Sequence, residues 1–224
     1  ATHDAFERAR AGKEKIRPVI LGGDDMTVIC DANIALEFTK DFLNYFEEET
    51  EMQIGYKLTA CAGIAYSNNK YPLHYALHLA EALTGQTKKH AKALKEKEKL
   101  EFVPSSLLFH NIQSSNFQNL EKFIVDELTI KNNEQEIRLD FGPYYLEHKE
   151  QPQIQDFIYT VEAYRCEGSP ISRLRSWLGE LYKDSQSAKD MLERINIITE
   201  EKDRWNGEIM DNNLKLFNKK LSHE

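Results

Sequence analysis

Gly22, Gly23, Asp24 and Asp25 stand side by side between two apolar runs, Ile16 to Leu21 and Met26 to Cys30. Adjacent carboxylates repel one another unless water, a cation or a positive neighbour compensates. Magnesium and manganese favour such hard oxygen donors and bridge protein carboxylates to nucleotide phosphates. Asp24 and Asp25 are therefore the candidate metal ligands and catalytic residues. Gly22 and Gly23 would admit a triphosphate or ribose close to the backbone, where a side chain obstructs it. The plainer alternative is a solvent-exposed hairpin turn with no ligand.

The elements around these residues must hold them. Two β-prone runs flanking a glycine-rich turn predict a hairpin, and a rigid hairpin can fix both carboxylates in space. The segment before it carries Ala5, Phe6, Ala9 and Ala11 among charged residues and predicts a helix ending near Gly12. From Asp31, a candidate N-cap, the residues Ile34, Phe38, Phe42, Leu43 and Phe46 recur at helical spacing. After the acidic EEETE run, Leu58 to Ser67 predicts a strand. Pro72, Leu73, Ala76, Leu77, Ala80 and Leu83 predict an amphipathic helix reaching about Leu94, and Val103 to His110 a further strand.

This order is α+β and needs one more strand and helix upstream to make a ferredoxin-like palm. The palm is therefore expected to be incomplete at its N-terminus, and the start at Ala1 rather than Met fits a truncated or excised piece of a longer chain. Three regions are expected: a palm over residues 1–114, an irregular insertion or connection over 115–156, and a mainly helical accessory region over 157–224. The middle region holds a candidate helix at Asn119 to Leu128 and a candidate strand at Glu136 to Phe141. In the last region, apolar stripes run through Leu174, Trp177, Leu178 and Leu181, then Met191, Leu192, Ile195 and Ile198, then Trp205, Ile209, Leu214 and Phe217.

Composition narrows the partners. With 29 Lys and Arg against 37 Asp and Glu, the net charge of -8 argues against nonspecific wrapping of nucleic acid and leaves room for a local basic groove. Cys30, Cys61 and Cys166 lie far apart, form no CxxC pair, and read as buried thiols of a reducing compartment. No apolar run approaches the roughly 20 residues that span a bilayer, and the N-terminal stretch lacks a signal-peptide core. A cytoplasmic protein without a membrane partner is expected.

At LGGDDMTVIC (Leu21 to Cys30) the sequence resembles the polymerase or cyclase palm of the large subunit of type III CRISPR effector complexes, and more distantly the GGDEF nucleotide cyclases. The resemblance extends through LTACAGIAYSNNKYPLHYALHLAEAL (Leu58 to Leu83), HAKALK (His90 to Lys95) and LLFHNIQS (Leu107 to Ser114), with a looser likeness in YTVEAYR (Tyr159 to Arg165). It implies a palm that takes ATP and two Mg2+ or Mn2+ ions and, in active members, joins ATP into cyclic oligoadenylates when target RNA licenses the reaction. Other effector subunits and guide-target RNA are the implied partners of the full assembly. By the same resemblance Gly22, Gly23, Asp24 and Asp25 match the active-site motif, and Lys92 matches a lysine placed near the nucleotide phosphates.

Met26 stands where GGDEF cyclases carry Phe, and Asp4 is poorly placed to serve as the additional acid that palm enzymes supply from a first strand. A structural or regulatory palm that binds nucleotide or protein is the alternative, as is an enzyme with linear products or a diguanylate-cyclase-like activity.

Other chemistry-bearing residues have simpler readings. Lys88, Lys89 and His90 could contact phosphate with Lys92, or balance the EEETE acids. His74 and His78 share a helix face but lack the HExxH glutamate. Ser67, Ser105, Ser106 and Ser114 have no GxSxG context. Arg17 reads as a surface charge on an edge strand, or a phosphate contact. Tyr71, Tyr75, Phe109 and Tyr144 could stack on bases or fill a core, and Trp177 and Trp205 read as packing residues.

Overall fold

The computed structural model describes residues 1–112, 120–132 and 135–201. In chain order its elements are α1 (Thr2–Arg10), β1 (Ile16–Gly22), β2 (Asp25–Cys30), α2 (Ala32–Ile54), β3 (Cys61–Tyr66), α3 (Leu73–Glu98), β4 (Ser106–Asn111), α4 (Leu120–Glu127), β5 (Thr129–Asn132), β6 (Gln135–Arg138), β7 (Tyr144–Tyr145), α5 (Ile154–Arg165), α6 (Ile171–Leu181) and α7 (Ser185–Glu201). The described chain divides into two compact units, one of residues 1–120 with 142–158, the other of 121–141 with the chain from 159 onward. The architecture is α+β with a hairpin and a mixed sheet. No described helix is long and apolar enough to cross a membrane.

In the first unit, β1 and β2 form an antiparallel hairpin from Ile16↔Cys30 to Gly22↔Asp25, with an irregularity between Pro18 and Ile20. Proline has no N–H for a ladder, which suits β1 to an outer position. Alternation sends Ile16, Leu21, Met26 and Val28 onto a core of Ala5, Phe6 and Ala9 from α1 and Phe38 and Phe42 from α2. Val19, Ile20 and Ile29 stay exposed. Asp31 caps α2 as its sequence predicts, accepting a hydrogen bond from the Asn33 N–H at 3.0 Å.

The mixed sheet has the order β3-β4-β7, with β3 and β4 parallel and β7 antiparallel to β4. Among the described residues the hairpin pairs only with itself and adds no strand to this sheet. Ala62, Ile64, Leu107, Phe109 and Tyr144 meet Leu43 of α2 and Ile154 of α5. Phe109 and Tyr144 stack at 5.6 Å and both meet Phe157, so these two aromatics fill the core, not a base-stacking surface. Burial holds the Tyr144 hydroxyl neutral, pushing its pKa up to about 12.

On the other sheet face, α3 lies close over β3 because residue 63 is glycine. A Cβ there would sit 2.2 Å from the Ala80 carbonyl oxygen and 2.7 Å from the Thr84 nitrogen. Strand β7, a two-residue edge, carries no sequence signal long enough to announce it.

In the second unit, β5 and β6 make a small antiparallel hairpin. Ile130 joins Leu181, Ala188, Leu192 and Ile195 in a core that Leu174, Trp177 and Met191 cover. Of the expected Leu174–Leu181 stripe, Leu181 is buried, Leu174 and Trp177 are partly buried against this core, and Leu178 is exposed. Trp205, Ile209, Leu214 and Phe217, like Ser114 and Asn119, lie outside the described residues.

Two glycines give opposite expectations. Gly63→Ala forces α3 away from β3 and is expected to cost about 2 kcal/mol or more. Gly85→Ala, on the exposed face of α3 where a Cβ meets nothing, is expected to add about 0.5–1 kcal/mol. Urea denaturation reads both as midpoint shifts at unchanged slope.

Candidate active site at the hairpin tip

Gly23 and Asp24 are the two central residues of the hairpin turn. Gly23 has φ +61°, whereas Asp24 keeps a negative φ. That combination belongs to a type II′ turn, whose first central position favours glycine and whose twist matches the flanking strands. Gly23 is required by the backbone; Gly22 is not, and a Cβ on either would meet open space. Asp24 and Asp25 are both exposed, and neither makes an ion pair or side-chain hydrogen bond with the described residues. Two adjacent residues at a short turn therefore carry unneutralised carboxylates, Asp24 in the turn itself and Asp25 at the start of β2.

The tip borders a cleft of about 400 Å³. Its walls are Leu21 to Asp24, the first residues of α1, Phe46, Thr50 and Ile54 of α2, and Leu58. Apolar side chains line much of it, with Thr2, His3, Asp24 and Thr50 among the polar contributions. Thr50 fixes one wall, since its hydroxyl donates to the Phe46 carbonyl at 2.9 Å and accepts the Leu58 N–H at 3.0 Å. Thr2 fixes another, donating to the Gly23 carbonyl at 2.7 Å. Sequence reasoning found neither threonine: Thr2 and Gly23 are 21 positions apart, and no spacing rule links them.

The direction of the strands locates Lys92. β2 starts at the hairpin tip, and Leu58, on the approach to the start of β3, lines the same cleft as that tip. β2 and β3 therefore run the same way, and the tip lies at the end of the unit where β3 begins. Lys88 and Lys92, exposed and one helical turn apart, lie by Cys61 at that same end. Burial pushes the Cys61 thiol up, while the Ser106 hydroxyl at 3.7 Å and then the two ammonium groups offset part of the rise. Lys92 does not line the cleft.

Three of the four EEETE acids are balanced from elsewhere than Lys88 and Lys89. Arg8 reaches Glu48 at 2.6 Å and Glu49 at 2.8 Å while lying 4.1 Å over the Tyr45 ring, and Lys57 pairs with Glu47 at 2.5 Å. Glu47 and Glu49 are buried, and these cations offset what their burial costs. Asp4, poorly placed for the tip by its sequence position, is held by Gln53, which keeps its carboxyl below the usual range.

Among the described residues no group of three or more His, Cys, Asp or Glu converges as a metal site. His74 lies against Tyr75 and His78 beside Glu81. Cys30 and Cys61 are half-buried, whereas Cys166, expected to be buried, is exposed at the end of α5, where its thiol donates to the Glu162 carbonyl. All three are free thiols.

The family model described as Cas10/Cmr2, second palm domain, matches residues 2–101. Over that stretch, from α1 through α3 and including the GGDD turn, the chain is similar to that CRISPR-associated palm family. No curated protein matches the chain in sequence.

The turn geometry separates its glycines. Gly23→Ala places a Cβ in the left-handed region and is expected to lose about 1 kcal/mol, whereas Gly22→Ala should stay within about 0.5 kcal/mol of the parent. Thermal denaturation of the two variants side by side measures the difference.

Proposed function

We propose that the first unit is a ferredoxin-like nucleotide-binding palm. In this reading Asp24 and Asp25 hold divalent cations, and the complete protein converts ATP to cyclic oligoadenylates. The observation that carries it is the pair of exposed, unneutralised carboxylates at a type II′ turn, the first of which borders a cleft, within the stretch similar to the Cas10/Cmr2 palm. The donor set suits Mg2+ or Mn2+, which take carboxylate and phosphate oxygens.

Bound there, the metals would activate a ribose hydroxyl and neutralise charge on the reacting phosphates. The chain supplies the positions. Asp24 and Asp25 anchor the metals, and Gly22 and Gly23 leave the backbone open to ribose and phosphate. Lys92, at the same end of the unit, takes phosphate charge. The reaction forms a bond from a ribose 3′-oxygen to the α-phosphorus of a second ATP and breaks the bond to pyrophosphate, the hydroxyl proton leaving to solvent.

Two carboxylates are fewer than two-metal chemistry requires. β2 and β3 run the same way, are not hydrogen-bonded to each other, and each has an unpaired edge among the described residues. We place the further acid on an extended segment of the complete protein that pairs between them, antiparallel to both. A second reading, a structural or regulatory palm, draws on the same shortage of acids. Linear nucleotidyl transfer and diguanylate synthesis remain as product alternatives, although Met26 is packed into the hairpin core and leaves no aromatic side chain at that position.

The test has two stages. Mn2+ binding to this chain should follow Asp24 and Asp25 and fall at least about tenfold in the doubly substituted Asp24→Asn, Asp25→Asn variant, with folding retained. In the complete protein, labelled ATP with Mn2+, with and without guide-bound target RNA, should give cyclic products that the same substitutions reduce about 100-fold or more. Metal binding without any ATP-derived product would favour the structural reading; linear products would reassign the reaction.

A further inference from the structure

Helix α6 begins without a capping side chain. Its N-cap residue is Pro170, and its first turn holds no acid. The Arg173 and Leu174 N–H groups donate to the Pro170 carbonyl at 2.9 and 3.0 Å, while the Ile171 and Ser172 N–H groups find no acceptor among the described residues. Where a carboxylate would complement the positive end of the helix, the sequence places Arg173. Arg173 is exposed and has no ion-pair partner among the described residues. Positive charge thus meets the positive helix end, and an anion would turn both into favourable contacts.

A second observation points the same way. The Ser169 hydroxyl oxygen, just before Pro170, is shut off from solvent and has no hydrogen-bond partner. Leaving such a group unsatisfied costs about 1–3 kcal/mol. Ser169 lines a cavity of about 230 Å³ with Pro170, Ser172 and Arg173 and, from α7, Ile198 and Thr199. No carboxylate of the described residues lines it. The Thr199 hydroxyl is already committed, donating to the Ile195 carbonyl at 2.7 Å. The uncommitted donors there are the Ser169 and Ser172 hydroxyls and the Arg173 guanidinium.

We propose that this cavity binds a phosphoryl group, with Ser169, Ser172, Arg173 and the open N–H groups of α6 as its donors. A guanidinium fork suits phosphate oxygens, and a helix N-terminus suits their charge. Pockets that enclose a whole drug-sized ligand run to about 300–1,000 Å³, so the phosphoryl group is the part recognised here and any group esterified to it stays outside. The site lies within the second unit and does not rest on the reading of the hairpin.

The test titrates the full chain with inorganic phosphate, with glycerol 3-phosphate and with glycerol, at an ionic strength held constant by chloride. The amide resonances of Ser169, Ile171 and Ser172 report binding. Saturable shifts are expected with the two phosphates and none with glycerol; tighter binding of glycerol 3-phosphate assigns a phosphate monoester, and tighter binding of inorganic phosphate assigns the free anion. Arg173→Gln should weaken the affinity about tenfold and Ser169→Ala about threefold. In chloride alone neither variant should melt below the parent, since one removes a cation from a positive helix end and the other an unpaired hydroxyl. Phosphate should raise the melting temperature of the parent more than that of either variant. Shifts that grow linearly without saturating, or that persist unchanged in Arg173→Gln, overturn the proposal. A lower melting temperature of Ser169→Ala in chloride shows the hydroxyl serving the fold and removes it from the site.

Discussion

The hairpin cannot stand alone, and the candidate site depends on what it rests on. An isolated pair of strands is marginal in water. Here its inner face lies on Phe6, Phe38 and Phe42, with Phe6 essentially sealed from solvent and set edge-on to Phe38 at 6.0 Å. Burying one such ring contributes about 2–3 kcal/mol, and an edge-to-face contact about 1 kcal/mol more. The ion pairs from α1 to α2 are partly exposed and individually weaker. Their effect is on register: residues 4, 8 and 13 of the α1 region meet 53, 49 and 41 of α2 in descending order, so the helices run antiparallel and the start of α1 falls at the tip. Apolar burial holds the layer together, and charge decides where along α2 it sits.

The same charges explain why the tip is the distinctive acidic feature of this unit. Glu47, Glu48 and Glu49 form a denser acidic run than Asp24 and Asp25, yet Lys57 and Arg8 meet all three. Asp41 is met by Lys13 at 2.7 Å. Asp24 and Asp25 have no such counter-charge among the described residues, although they are adjacent and repel each other. The protein leaves this repulsion to whatever occupies the solvent beside the cleft.

Much of this was legible from local pattern. The hairpin, the Asp31 cap, α2 and α3 follow from glycine placement, a capping side chain and apolar periodicity, all of which act over a few residues. The carboxylates stand out as candidates because their chemistry is in their adjacency. What escaped were facts set by tertiary approach: the Thr2 hydrogen bond, the double role of Thr50, the Arg8 and Lys57 pairings, and the short β7 edge. The aromatics divide the same way. Phe109 and Tyr144 offer faces suitable for stacking in any sequence, and only packing assigns those faces to Phe157 and to each other. Cys166 was misjudged because its apolar neighbours end with the helix, leaving the thiol at an exposed terminus.

The strand edges carry one more distinction. Natural sheets guard open edges with proline, lysine or a bulge, since an unguarded edge invites pairing. Strand β1 has Arg17 and Pro18, with its ladder irregular between Pro18 and Ile20. Strands β2 (DMTVIC) and β3 (CAGIAY) have neither proline nor a basic residue, and their ladders run without irregularity against β1 and β4 respectively except at that one β1 site. Protection is thus on β1, while the strands proposed to flank an incoming segment lack it. Their common direction means that a single antiparallel strand could satisfy both edges. It would also bring its own side chains to the end of the unit where Asp24 and Asp25 lie, which is where the proposed two-metal chemistry calls for a further acid.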